Sequence, residues 1–294
     1  MSYDLTTPTG WRDYALVDSG GYEKLERFGS YLLIRPEPQA VWDRALPEAS
    51  WHERADAHFT RDGNQRERGQ WEKRPQTRDP WWVTYPLPDG PALRFKLSLS
   101  SFKHVGLFPE QADNWDWIAQ QTATQPAGAS VLNLFAYTGG ASLAARARGA
   151  DVTHVDAVRP VITWARENLE GSGLDGVRWV VEDAARFVAR EVRRGRRYRG
   201  IILDPPAYGR GPKGEKWLLE AHLNDLLHAC ARLLDPAGHF FVLNLYSLGF
   251  SALIVENLVK GAFGSPPSLT CGELYLPDEA GRKLPLGTYG RFVR

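Results

Sequence analysis

The segment Asp204-Pro205-Pro206-Ala207-Tyr208 puts a carboxylate, a stiff backbone and an aromatic ring within five residues. Consecutive prolines hold the chain extended. The segment follows the apolar run 200–203, so the Asp204 side chain and the Pro205 carbonyl are presented together just past a strand. Such an acceptor pair can grip a planar amine, and Tyr208 offers a face on which a base can stack. Without a ligand beside it, the same segment would be only a rigid loop.

A second constellation lies upstream. The run 131–135 leads to Gly139 and Gly140, and then to the Ala-rich stretch 141–150. A strand turning sharply into a helix beside a bound nucleoside needs residues without Cβ bulk. The opening helix then turns free N–H groups and its positive dipole end toward the ligand. Alone, such a turn is common in α/β proteins. Asp156 adds weight: it ends the apolar run 152–155 and lies 17 residues after Gly139, near the spacing of an acid that holds ribose hydroxyls. Asp183 follows the run 177–181. It suits an adenine amino group, and equally the N-cap of a helix opening at Ala184-Ala185-Arg186; the two roles are compatible.

These residues need a scaffold. From Ser130 the pattern alternates strand and helix, which implies a parallel sheet. Strands are predicted at 131–135, 152–155, 177–181, 200–203 and 239–245, and helices at 141–148, 159–170, 183–194, 214–233 and 250–261. The stretches 268–275 and 287–293 read as strands joined by a turn at 278–283. The fold class is α/β: a doubly wound, mostly parallel sheet with a terminal antiparallel hairpin. A helix, 112–121, precedes it.

The first hundred residues differ. Strands are predicted at 14–17 and 31–34, with turn chemistry at Asp18-Ser19-Gly20-Gly21. Short helices are predicted at 41–46 and 50–58, the second capped by Ser50. The charge-rich stretch 61–78 reads as a loop or exposed hairpin, and 81–85 and 93–99 as strands around Pro88-Asp89-Gly90. This gives a small β-rich N-terminal domain, 1–110, suited to substrate recognition, before a second domain, 111–294.

Together the Gly turn, Asp156 and the Asp-Pro-Pro segment resemble class I S-adenosylmethionine-dependent methyltransferases. In order and spacing, 131–150, Asp156, Asp183 and 204–208 are similar to bacterial enzymes that modify bases of large-subunit ribosomal RNA, particularly the cytosine carbon-5 type. Phe102-Lys103-His104-Val105-Gly106-Leu107-Phe108-Pro109-Glu110-Gln111 also resembles a segment preceding their catalytic domain. The resemblance covers about 95–260 and implies S-adenosyl-L-methionine as cofactor and RNA as substrate. It also implies that Lys103, Phe108 and Gln111 border the cofactor pocket. The expected cofactor contacts are completed by Asn133, Phe135, Ala136, Tyr137, Thr138, Gly139, Gly140, Asp156, Ala157, Asp183, Ala184 and Asp204. Asp204, Pro205 and Tyr208 form the expected catalytic platform.

Two features depart from that family. Its cytosine carbon-5 members need a cysteine nucleophile after the strand following the Asp-Pro-Pro loop, where this chain reads Val242-Leu243-Asn244-Leu245-Tyr246-Ser247. Nor do the first hundred residues match the RNA-delivery domain common there. Direct displacement by a substrate nitrogen or oxygen is then the simplest mechanism, with Asp204 orienting the acceptor. Methylation of a protein side chain or small molecule is the alternative enzyme reading, although Asp204 and Ala207 differ from the Asn-Pro-Pro-Tyr of amide-modifying enzymes. A non-catalytic cofactor-binding, RNA-binding protein is a third. A nicotinamide dehydrogenase is disfavoured because 135–142 lacks Gly-x-Gly-x-x-Gly.

Composition adds bounds. The chain has 294 residues and a net charge of +1, so bulk charge names no partner. No apolar run approaches a membrane span, and the N-terminus from Met1 reads as no signal peptide, so a cytoplasmic setting is expected. Cys230 and Cys271, the two cysteines, read as packed side chains. His52 and His58 lack a third ligand, so no metal is expected. Eleven tryptophans suggest a large aromatic core with some stacking surface. The loop 209–216 and the six arginines of 190–199 are candidate RNA contacts or plain solvated segments. Assembly into a homo-oligomer is left open.

Overall fold

The structure is a computed structural model that describes residues 3–63, 67–246 and 249–294. Met1 and Ser2, part of the expected 61–78 loop, and Ser247 beside the missing cysteine lie outside the described residues. The elements in chain order begin with β1 (Asp4–Thr6), β2 (Tyr14–Gly20), β3 (Glu23–Phe28), β4 (Tyr31–Pro36), α1 (Glu48–Arg54), β5 (Ala57–Arg61), β6 (Gly69–Lys73), β7 (Trp81–Pro86) and β8 (Ala92–Leu97). There follow α2 (Ala112–Ala123), β9 (Ser130–Leu134), α3 (Gly140–Arg146), β10 (Asp151–Asp156), α4 (Arg159–Gly171), β11 (Arg178–Val181), α5 (Ala184–Arg193) and β12 (Gly200–Leu203). The last are β13 (Tyr208–Arg210), β14 (Lys216–Leu218), α6 (Leu219–Ala231), β15 (Phe240–Leu245), α7 (Ala252–Phe263), β16 (Thr270–Pro277) and β17 (Lys283–Val293).

Alternation of strand and helix builds an eight-stranded sheet, ordered β1-β16-β17-β15-β12-β9-β10-β11. Neighbours from β11 to β15 pair in parallel, and β17 runs antiparallel between β15 and β16. This is the expected doubly wound sheet with its terminal hairpin. Strand order reverses between β9 and β12, so their carboxyl ends flank a crevice where such sheets bind ligands. β12 and β15 are buried along their whole length because helices cover both faces. Phe187, Leu223 and Leu227 cover one face. Trp115, Ile118 and Leu143 cover the other, in a cluster continuous with Val83 and Phe95 of the β7–β8 ribbon.

A separate five-stranded sheet, β2-β3-β4-β5-β6, forms the expected β-rich N-terminal part. Sequence reading missed β3. Its charged residues Lys24 and Glu26 are buried rather than solvated, which hides the apolar alternation. Glu26 pairs with Arg35 at 2.6 Å, and Lys24 with Glu37 at 3.3 Å. The helix expected at 41–46 does not form. There the carboxylate of buried Asp18 accepts the N–H groups of Ala45 and Leu46, 3.2 and 2.8 Å away, which takes the place of helical bonding. Burial raises the Asp18 pKa, but these donors and Trp51 outweigh it and hold the carboxyl below its ordinary value. The second helix starts at Glu48 behind Pro47, so Ser50 lies inside it and makes no cap, and Ala57 and His58 already belong to β5.

Contacts fasten the two parts together. Arg282, beyond the β16 end, pairs with Asp18 and with Asp278. Ser19 donates to Asp278 at 2.8 Å. β1 also leaves the N-terminal region to pair with β16.

Candidate functional site

β9 ends at Leu134, one residue earlier than expected, because the backbone turns left-handed at once. Phe135, Tyr137 and Gly139 have φ of 55°, 49° and 94°. Such values are uncommon for Phe and Tyr and mark a locally forced path. Asp156 supports that path: its carboxylate accepts the Tyr137 N–H at 3.0 Å and the Val158 N–H at 2.9 Å. Burial raises its pKa despite these donors. Beneath the turn, Asn133 donates to the Ser142 hydroxyl at 2.9 Å, which in turn lies 3.0 Å from His154 Nδ1. Burial pushes His154 down to about 3, so it stays neutral. Gly140 is needed for close packing: a Cβ there would lie 2.4 Å from the Trp115 ring.

Across the crevice, β12 delivers Asp204 at its carboxyl end. Asn244 of β15 donates to Asp204 Oδ1 at 2.8 Å. Burial pushes the Asp204 carboxyl up to about 6, against the opposing effect of the Asn244 bond. The Asn244 side-chain oxygen is itself buried without a partner among the described residues. The stretch 209–216, expected as a loop, is structured together with Tyr208. It folds as the β13–β14 hairpin, locked where Trp217 donates to the Pro206 carbonyl at 2.7 Å and packs 4.8 Å from the Phe135 ring. This hairpin takes the first residues of the expected helix 214–233, which begins at Leu219.

A crevice opens between these walls. Phe108, Gln111, Asn133, Asp204 and the whole turn 135–140 line it. Sequence reading missed Asn114, Trp115, Ile118 and Asn244. The first three share with Gln111 one face of α2, at i, i+3, i+4 and i+7, so helical spacing carried that signal. Nothing local marked Asn244.

Other expected residues lie elsewhere. Asp156 stands behind the turn, with Ala157 next to it. Asp183 caps α5, accepting from Arg186 N at 2.9 Å just before Ala184. Lys103 is buried and paired with Glu67 at 3.1 Å, facing a neighbouring cavity. Pro205 is buried outside the crevice lining, and Tyr208 is 53% exposed on β13. In the stretch 190–199, Arg190 and Arg194 pair with Glu182 and Glu191, and Arg199 with Asp235. These arginines lead into the amino end of β12, at the sheet edge opposite Asp204. Among the described residues no cluster of three or more His, Cys, Asp or Glu could hold a metal ion, and no helix is long and apolar enough to cross a membrane.

This architecture has counterparts. A family model described as S-adenosylmethionine-dependent methyltransferase matches residues 65–269. The chain is similar to the protein named ribosomal RNA large subunit methyltransferase K/L in Shewanella frigidimarina, with 30% identity over 155 residues. That match covers 51% of this chain and 21% of the relative. The Hahella chejuensis protein of the same name is 34% identical over 148 residues, 49% of this chain and 20% of the relative. The chain thus spans about a fifth of the length of these curated relatives. Among solved structures, a SAM-dependent methyltransferase from Agrobacterium tumefaciens is 37% identical with a TM-score of 0.88, covering 98% of this chain and 93% of that one. A structure described as a methyltransferase complexed with SAH shares the fold, at 16% identity and a TM-score of 0.73, covering 96% of this chain and 76% of that one. By its crevice, its strand order and these matches, the chain belongs to the S-adenosylmethionine-dependent methyltransferase family.

Proposed function

We propose that this chain methylates a base of RNA, ribosomal RNA foremost, by direct displacement, with 111–294 as the methyltransferase domain and 1–110 serving the substrate. The observation that carries direct displacement is the Asp204–Asn244 pair at the crevice, with Asn244 near the end of the strand after which a covalent mechanism would want a thiol. Both cysteines are buried elsewhere, Cys230 in α6 and Cys271 in β16. Burial pushes both thiols up, Cys271 to about 11, so neither is a ready thiolate. The names of the relatives support RNA as the acceptor.

The crevice suits the cofactor chemically. Trp115, Ile118 and Phe108 give apolar walls, while Asp204 and the unpartnered Asn244 oxygen give acceptors for amino groups. In this reading the turn 135–140 and Gln111 hold the nucleoside and its amino acid tail, with Asp156 behind the turn. S-adenosylmethionine supplies a methyl group on a cationic sulfur, an already activated leaving group. Asp204 orients the acceptor and takes its proton. Tyr208, four residues on, offers an exposed stacking face.

Asp156→Ala should weaken S-adenosylmethionine binding by about 1–3 kcal/mol, because it leaves backbone donors without their partner and loosens the turn. Calorimetry with unchanged affinity would remove Asp156 from the site. Cys230→Ser and Cys271→Ala should keep methyl transfer, apart from any loss of stability. A covalent RNA adduct that vanishes in either variant would overturn direct displacement. The substrate itself is tested by mapping methylated nucleosides in ribosomal RNA from a deletion strain, alongside labelled transfer to total RNA and total protein. Label entering only protein would reject RNA.

A further inference from the structure

Asn133 and His154 are register partners on the paired strands β9 and β10, so their side chains project from the same face of the sheet. Ser142, in the first turn of α3, bridges them. All three are buried, on a face otherwise covered by apolar side chains such as Val131, Val152 and Leu143.

Hydrogen bonds run along this row in one direction. The Asn133 amide nitrogen donates to the Ser142 hydroxyl at 2.9 Å. The Ser142 O–H is left to donate onward, and His154 Nδ1 lies 3.0 Å away. Burial keeps the ring neutral, so Nδ1 can carry the lone pair that accepts. The ring proton then belongs on Nε2, which has no partner among the described residues.

With its nitrogen committed inward, Asn133 has one free polar atom, Oδ1. No described residue bonds it, yet it is not among the partnerless atoms sealed in the interior. The open space that Asn133 borders is the crevice. Oxygen and nitrogen of a carboxamide are nearly the same size, so shape alone cannot choose which of them faces the crevice. The row of hydrogen bonds can, because one is an acceptor and the other a donor.

We propose that Ser142 and His154 are positioning residues, which hold the Asn133 amide with its oxygen toward the crevice as an acceptor for an N–H or O–H group of the cofactor. This rests on the reading that the crevice holds S-adenosylmethionine. That molecule carries such donors at both ends: an ammonium on the amino acid tail, and hydroxyls and an amino group on the nucleoside. An amide turned the other way would meet them donor to donor.

The test pairs calorimetry of S-adenosylhomocysteine binding with Tm for each variant. His154→Phe keeps an aromatic ring against Trp179, whose ring lies 4.8 Å from that of His154, but offers Ser142 no acceptor. The hydroxyl then donates back to Asn133 Oδ1, and the amide turns its nitrogen to the crevice. Affinity should fall roughly tenfold or more, the scale of one mispaired buried contact. His154→Asn loses the ring but places an oxygen where Nδ1 stood. It should keep most of the affinity while losing more Tm than His154→Phe. A purely structural role for the ring predicts the opposite order. Asn133→Ala should weaken binding at least as much as His154→Phe. Nitrogen NMR gives a readout free of ligand: in the wild-type chain at neutral pH, His154 should be neutral with its proton on Nε2. Methylthioadenosine, which lacks the amino acid tail, locates the donor. Weakening of both ligands in His154→Phe places it on the nucleoside; weakening of S-adenosylhomocysteine alone places it on the tail. Unchanged affinity in His154→Phe beside weakened binding in Asn133→Ala, equal losses of affinity in His154→Asn and His154→Phe, or a proton on Nδ1 would each overturn the positioning role and leave the crevice reading intact. Unchanged affinity in Asn133→Ala would instead overturn the crevice reading at Asn133, and the proposal with it.

Discussion

Asp204→Asn is expected to lower single-turnover methyl transfer about 100- to 10,000-fold, the range for losing a positioned acid or base, and to lower cofactor affinity much less. The substitution keeps the side-chain shape and the Asn244 contact, which is 2.8 Å to Oδ1. It removes the negative charge and the capacity to take a proton. Because burial sets the Asp204 carboxyl at about 6, wild-type transfer should rise with pH through that value and level off above it. The Asn variant should show no such rise. The folded-state pKa lies above the ordinary carboxylate value, so the stability this group contributes is present in acid and is lost as pH rises through about 6. At pH 8 the wild-type chain carries a buried charge, and Asp204→Asn should be more stable there by about 1–2 kcal/mol, since one pKa unit is about 1.4 kcal/mol and part of the side chain reaches solvent. Near pH 4 the gain should vanish. A variant that is inactive but also unstable at pH 8 would show that Asp204 serves the fold rather than the reaction.

Gly106→Ala should be among the most disruptive single methyl additions. Gly106 has φ of 99°, and a Cβ there would meet the Trp164 ring at 2.1 Å. Trp164 cannot easily yield, since its Nε1 donates to the Lys96 carbonyl at 2.8 Å. Left-handed strain costs about 1 kcal/mol, and overpacking a filled site adds about 1–3 kcal/mol. The expected loss is about 2–4 kcal/mol, or a fall in Tm of about 5–15 °C for a chain of this size. The site should suffer too. The Gly106 carbonyl accepts from Thr138 Oγ1 at 2.7 Å, and the Thr138 carbonyl accepts from Asn168 at 2.9 Å. Moving Gly106 therefore moves the turn and Phe108 together, and cofactor affinity should fall with Tm. Gly149→Ala separates the two causes: its φ is 82°, but nothing lies within 4 Å of the added Cβ. Equal loss in both variants would mean that strain alone, and no clash with Trp164, sets the cost.

Periodicity and turn chemistry were enough to read the parallel sheet, because β9, β10, β12 and β15 are apolar runs buried on both faces and bounded by glycine, acid or proline. The same local signals marked Gly139, Gly140 and Asp204, since a tight turn and a stiff strand exit are written in adjacent residues. Local reading failed where burial was not apolar. β3 hides Lys24 and Glu26 in ion pairs with residues of β4 and its flank, and 41–46 satisfies its backbone on Asp18, more than twenty residues away. The hairpin after Asp204 depends on Trp217 reaching back to Pro206, eleven residues earlier. Asn244 meets Asp204 across forty residues. By itself the sequence determined the sheet, the turn and the acid at the strand end, because each is set by residues next to one another. Tertiary structure alone decided which polar groups keep partners, because burial and pairing depend on strands and loops that only folding brings together.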